Sequence, residues 1–186
     1  MKTLASTITL FLSGFLAACS QQVQVRPYET YQNLAPAGTM LPVAESPRLQ
    51  PFVRMFSDLS AASVNAHIAE VYAENLYFHD TFHTFHSREE IRRYFVNMSE
   101  KATTRVTPLD FLEHGPDVWL RWQMTTRSEV LWKSLDITTV GLTHLRFDAS
   151  DHIVMHHDYW DGVEGFYAHL PLLGGLVTYV RSGLGE

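Results

Sequence analysis

The sequence has a single cysteine, Cys19, near its N-terminus. The rest of the chain therefore forms no internal disulfide, offers no thiolate metal site and carries no cysteine nucleophile. Cations are few. Fourteen Lys and Arg stand against twenty Asp and Glu, for a formal net charge of −6, and no basic run occurs. Nucleic acid, which is held chiefly through clustered Lys and Arg, is not an expected partner. No apolar run reaches the roughly 18–20 residues of a membrane-spanning helix. There is no Gly-rich phosphate loop, no nucleophile elbow and no His-Glu-x-x-His pattern, so no cofactor and no metal is expected. His79, His83 and His86 have a spacing that would align on a helix. The stretch Thr81 to His86 reads instead as strand and loop, where that alignment is lost.

The N-terminus is a targeting segment. Lys2 supplies the positive start and Leu4 to Leu16 the short apolar stretch. It ends in Leu16-Ala17-Ala18-Cys19, which resembles the bacterial lipobox. Residues 1–18 then read as a lipoprotein signal peptide and Cys19 as the site of lipidation, so that lipid on Cys19 is the link to a membrane. Ser20 after the cysteine resembles the outer-membrane sorting pattern of Gram-negative lipoproteins. The expected location is the bacterial cell envelope, at the outer membrane facing the periplasm. Four of the eight prolines fall between Pro27 and Pro47, where they break any helix. Residues 19–48 read as an extended tether, although Tyr28, Tyr31 and Leu41 would permit an ordered arm.

The folded domain is expected over 49–186. Phe52, Val53, Phe56 and Leu59 recur at helical spacing. Val64, His67, Ile68, Val71 and Tyr72 do so again, with Ser63 as a candidate cap. Leu76 to Asp80 reads as a short strand. Ser87 and Glu90 have the spacing of a capping box, opening a third helix through Ile91, Tyr94, Phe95 and Met98. Beyond Lys101 the period changes to two. Val106 to His114, Val118 to Thr125, Leu135 to Phe147 and Ile153 to Asp161 read as strands, with a turn at Gly115-Pro116-Asp117. Gly162 to His169 reads as a short helix and Leu172 to Leu184 as an apolar or amphipathic tail. Helices first and antiparallel strands later argue for an α+β domain.

The last strand holds the densest chemistry: His156, His157, Asp158, Tyr159, Trp160 and Asp161. Alternation puts His156, Asp158 and Trp160 on one face and His157 and Tyr159 on the other. Two further stretches carry a resemblance. Val71 to Asp80, continued by Ser87 to Ile91, and Gly141 to Asp161 resemble the nuclear transport factor 2-like superfamily, which holds the SnoaL-like polyketide cyclases and the ketosteroid isomerases. The departures are Ser87, where a glycine often opens the third helix, and a hairpin turn at Ser150-Asp151-His152 without glycine.

The resemblance implies a cone: a curled antiparallel sheet wrapped around the N-terminal helices, enclosing an apolar cavity for a small hydrophobic ligand. It places Asp80 where the isomerases keep a proton-moving acid, and Asp158 where cyclase-like members keep one on the last strand. It also puts Thr143 where the isomerases carry an oxyanion-stabilising acid, which argues against ketosteroid-type enolisation. An apolar cavity disfavours the charged form of a carboxylate and brings it towards proton transfer at neutral pH. Asp80, Asp158 and His156 are the catalytic candidates. Phe78, Trp122, Thr143, His144 and Trp160 are the pocket candidates, although parity groups Thr143 with Leu145 and Phe147 and leaves His144 outside unless a bulge intervenes.

Three functions follow: a binding domain for a small hydrophobic molecule, an isomerase, cyclase or hydratase using Asp80 and Asp158, or a non-catalytic interaction module whose cavity is filled by its own side chains. A homodimer through the outer sheet face, where His157 and Tyr159 would lie, is a further expectation.

Overall fold

Seven strands form one curled, unclosed sheet in the order β1-β4-β5-β6-β7-β2-β3. The computed structural model describes Tyr31 and residues 41–130, 133–170 and 173–184. The 1–18 leader, Cys19 and most of the 19–48 tether lie outside the described residues. The strands are β1 (Leu41–Pro42), β2 (Tyr72–His79), β3 (Thr84–Ser87), β4 (Ala102–His114), β5 (Asp117–Val130), β6 (Lys133–Phe147) and β7 (Ile153–Trp160). All neighbouring pairs are antiparallel except β2 and β7, which run parallel. The sheet is thus mixed rather than purely antiparallel. That one parallel seam brings the two acid-bearing stretches side by side: Phe78 pairs with His156 and His79 with His157.

Three helices sit inside the curl: α1 (Gln50–Phe56), α2 (Ala61–Val71) and α3 (Arg88–Ser99). The cap of α2 is Ser60, whose hydroxyl accepts from the Ser63 N–H at 3.3 Å, not Ser63 itself. Ala61 and Ala62 carry no large apolar side chain, so periodicity alone starts this helix too late. At the other end Tyr72 leaves the helix and opens β2, although its apolar spacing continues that of Val71. The capping box of α3 is complete. The Ser87 hydroxyl accepts from the Glu90 N–H, and the Glu90 carboxylate accepts from the Ser87 N–H at 3.0 Å.

The core lies between these helices and the concave sheet face. Leu49 and Met55 on the helical side meet Leu120 and Leu145 on the sheet, all four fully buried. Phe52 and Phe56 stack with ring centroids 4.0 Å apart. Side chains of this size each contribute roughly 1.5–3 kcal/mol on burial.

Residues before Leu49 also pack on the domain. Leu41 and Pro42 pair with Phe111 and Asp110 on β4, and Val43 is buried in the core. Residues 41–48 are part of the fold because they cover the open edge of β4. Tyr31 also meets the domain, accepting a hydrogen bond from Arg121 at 3.0 Å. After β7 come α4 (Gly162–Gly165), a 3-10 turn at Tyr167–His169 and α5 (Leu173–Leu184).

Candidate functional site

The cone holds a cavity of about 530 Å³. Its floor is set by parity on β7. His156, Asp158 and Trp160 all line the cavity, while His157 turns the other way to meet Tyr77 and His79 on the outer face. Asp80, at the end of β2, also lines it, so the two candidate carboxylates open into one space. Phe78, Trp122 and Thr143 complete the wall on that side.

These polar groups form one chain of hydrogen bonds. The Tyr72 hydroxyl lies 2.7 Å from Nδ1 of His156. Nε2 of the same ring lies 2.9 Å from Oδ1 of Asp158. A carboxylate only accepts, so Nε2 carries the hydrogen, and a neutral ring then takes the Tyr72 O–H at Nδ1. Thr143 donates its hydroxyl proton to the same Oδ1 and accepts from the Trp122 Nε1–H at 2.7 Å. Oδ1 of Asp158 is thus held twice against the wall. Among the described residues no donor reaches Oδ2.

Asp80 is held differently. Its Oδ1 accepts the backbone N–H groups of Phe82 at 3.1 Å and His83 at 2.8 Å, and its Oδ2 accepts the Tyr94 hydroxyl at 2.6 Å. It therefore ties down the turn that begins at Thr81, a residue with φ 80°, and lines the cavity at the same time.

Burial, followed by the negative charges of Asp158 and Asp80, pushes the Tyr72 hydroxyl well above the usual phenol range. Tyr94 is pushed up as well, by burial first and then by the charge of Asp80 and its hydrogen bond. Both hydroxyls keep their protons and act as donors. Both carboxylates act on both tyrosines, which marks a single electrostatic site.

His144 does not belong to the pocket. It sits on the outer face, stacked on Trp119 at 4.7 Å, with Nε2 2.9 Å from Oδ1 of Asp117. No bulge interrupts β6 between Gly141 and Arg146, so strict alternation holds, and Thr143 and Leu145 are the buried members. The three spaced histidines also part company. His79 pairs with Thr84 at 3.0 Å, His83 lines the cavity and His86 faces Tyr77. Among the described residues no group of three His, Asp or Glu side chains converges as a metal site.

Several members of the site had no signal of their own in the sequence. Tyr72 sits at a helix–strand junction and Tyr94 on the apolar side of α3. The mouth is an aromatic cluster in which Phe82 packs edge-on against Trp160 at 5.6 Å, Phe166 at 5.4 Å and Tyr167 at 5.8 Å. Two glycines make room. A Cβ on Gly141 would stand 2.2 Å from the Trp122 ring, and one on Gly165 2.5 Å from the Trp160 ring. Since Gly141 pairs directly with Trp122 on β5 and Trp160 on β7, alternation of neighbouring strands together with an isolated glycine could have identified it.

Solved structures share this architecture at low sequence identity. An epoxide hydrolase of M. tuberculosis, described as LEH-like, is 15% identical and covers 73% of this chain and 93% of its own, with a TM-score of 0.53. A provisionally assigned SnoaL-like polyketide cyclase from Shewanella denitrificans is 17% identical over 64% of this chain and 94% of its own, with a TM-score of 0.55. A hypothetical protein of ketosteroid isomerase-like fold from Catenulispora acidiphila, in complex with trimethylamine, is 13% identical over 64% and 88%, with a TM-score of 0.54. Likeness at this level speaks for the fold alone. No protein of curated function matches in sequence. The family model of the SnoaL-like domain matches residues 52–168, from the start of α1 to the end of the cavity's mouth, and the chain belongs to that family.

Proposed function

We propose that this domain holds a small, largely apolar molecule in the cone and orients it by one polar group set against Asp158. The observation that carries the reading is the cavity itself: about 530 Å³, walled mainly by aromatic and aliphatic side chains, with the Asp80 and Asp158 carboxylates opening into it. That volume and that mixture are typical of small-molecule sites. The trimethylamine in the Catenulispora neighbour supports small-molecule binding by this fold. The test is native mass spectrometry of protein isolated without detergent, together with titration by an apolar fluorophore. Absence of any added mass and of any fluorophore binding would sink the reading.

A second reading has its own support. Oδ1 of Asp158 is held by His156 and Thr143 while Oδ2 is left for the cavity, an arrangement suited to taking up or delivering a proton in isomerisation, cyclisation or hydration. Asp80 would be the second member of the acid–base pair. Candidate substrates would be incubated with wild type and with Asp158→Asn. Conversion by wild type that Asp158→Asn loses, while it still binds, supports catalysis; equal conversion by both argues against it.

An interaction module with a self-filled cavity finds no support in a cavity of this size, so a protein partner would have to use the outer surface. There, a homodimer through the sheet face around His157 and Tyr159 remains a proposal. Tyr159 is 54% exposed, and sedimentation of wild type and Tyr159→Glu tests it. Anchoring is likewise proposed: cleavage before Cys19 and lipid on its sulfur would tie the domain to the outer membrane on the periplasmic side. Cys19→Ser should release the protein into the soluble fraction, and unchanged membrane fractionation would refute the anchor.

A further inference from the structure

We propose that the ligand of this pocket is an organic cation: an ammonium group carried on an apolar body, with the nitrogen set against Asp158 and Asp80 and the body among the aromatic rings. The inference rests on the binding reading above and specifies its ligand class.

The charge balance of the cavity is one-sided. Asp80 and Asp158 both line it, and none of the described lining residues is a Lys or Arg. A carboxylate facing an apolar space without a cation of its own is costly, and a ligand that brings the positive charge removes that cost. The local cation candidates are imidazoles. His156 is 1% exposed and has both ring nitrogens committed, one to Tyr72 and one to Asp158. His83 also lines the cavity, with Nδ1 3.6 Å from Oδ1 of Asp80 and a side chain that is 48% exposed. Neither ring donates to Oδ2 of Asp158. The neutral donors beside the two acids are already placed: Thr143 and Tyr94 each give their proton to a carboxylate.

The walls favour the same ligand. Phe82, Trp160 and Phe166 meet edge to face at the mouth, and Tyr94 packs at 4.7 Å from the His83 ring below it. Aromatic faces carry partial negative charge and attract ammonium groups more than neutral isosteres, the more so when water is excluded. The two carboxylates also raise the Tyr72 and Tyr94 hydroxyls after burial, so the negative field fills the region between β7, β2 and α3. An anionic ligand would meet that field unfavourably.

The test uses three probes with one apolar body: 1-adamantylammonium, 1-adamantanol and 1-adamantanecarboxylate, titrated against the full chain by calorimetry. The ammonium should bind about 10-fold or more tighter than the alcohol, as a charge-assisted hydrogen bond and cation–π contact imply, and the carboxylate weakest. Asp158→Asn should narrow the ammonium–alcohol gap, because it lowers ammonium affinity more than alcohol affinity. Equal binding of ammonium and alcohol, or tighter binding of the carboxylate, overturns the cation inference and leaves the binding reading standing. Failure of all three to bind overturns both. The wild-type comparison decides the matter even where a variant does not fold.

Discussion

Nε2 of His156 lies 2.9 Å from Oδ1 of Asp158, two residues further along the same strand. Such neighbours on one face are usually too far apart to pair firmly. Here the ring is fixed from behind, because the Tyr72 hydroxyl holds Nδ1 at 2.7 Å, and Phe78 packs against it at 4.7 Å between ring centroids. The imidazole therefore acts as a spacer between a buried phenol and a carboxylate that opens into the cavity. Tyr72→Phe keeps the ring and removes the hydroxyl, leaving Nδ1 of a fully buried histidine without a partner. The expected loss of stability is about 1–3 kcal/mol, read by urea unfolding. A variant as stable as wild type would show that this hydrogen bond does not hold the ring.

Gly141 is the second position at which a small change should have a large effect. Its missing Cβ is the space that the Trp122 indole occupies, and Trp122 in turn donates to Thr143, which supports Asp158. Gly141→Ala must displace an indole that is only 4% exposed. Overpacking of this kind costs about 1–3 kcal/mol. The cavity wall moves with it, so apolar probe binding should weaken as well. Unchanged Trp fluorescence and unchanged probe affinity in a folded Gly141→Ala would refute this account of the wall.

Asp80 combines two roles that substitution can separate. Asp80→Asn keeps an oxygen for the Phe82 and His83 N–H groups, and the Tyr94 hydroxyl can turn to accept from the new amide. Asp80→Ala leaves both N–H groups and the hydroxyl without their acceptor. The Asn variant should therefore fold nearly as stably as wild type, whereas the Ala variant should lose about 1–2 kcal/mol and loosen the mouth. If the charge of Asp80 also contributes to ligand binding, the Asn variant will lower affinity for the ammonium probe even though its turn stays intact. Equal stability of the two variants would mean that the carboxylate does not hold the turn.

The faces of the late strands were legible because period two is strict where one face is buried. It assigns His156, Asp158 and Trp160 to one side of β7 and Thr143 to the inner side of β6. The same rule excludes His144, and only the allowance for a bulge kept that residue among the pocket candidates. The capping box at Ser87 and Glu90 was equally plain, since both partners are fixed by local spacing. Tyr72 was hidden for the opposite reason: an apolar residue at a helix end continues the helical period and the strand period alike. The mouth was hidden too. Phe82, Phe166 and Tyr167 lie in turns, where no period sorts side chains, and their convergence depends on the parallel seam between β2 and β7. The edge pairing of Leu41 and Pro42 belongs to the same class, because only the register with β4 reveals it.

On the outer face, Asp117 explains both where His144 went and how the domain should respond to acid. Its carboxylate accepts from Nε and Nη2 of Arg146 at 2.9 Å each and from Nε2 of His144 at 2.9 Å. The Arg146 hydrogen bond first, and the His144 one with it, lowers its pKa from 3.8 to about 2. A folded-state value below the unfolded one means that the unfolded chain takes up the proton first. The stabilisation is fully present above the ordinary value of 3.8, and it is lost as the pH falls from about 4 towards about 2. Arg146 is 52% exposed, so solvent screening limits the contribution to about 1 kcal/mol or less. Asp117→Asn should lower Tm at pH 6 and shrink the difference from wild type as the pH is brought towards 2. A difference that stays constant across that range would mean the pairing does not depend on the charge of Asp117.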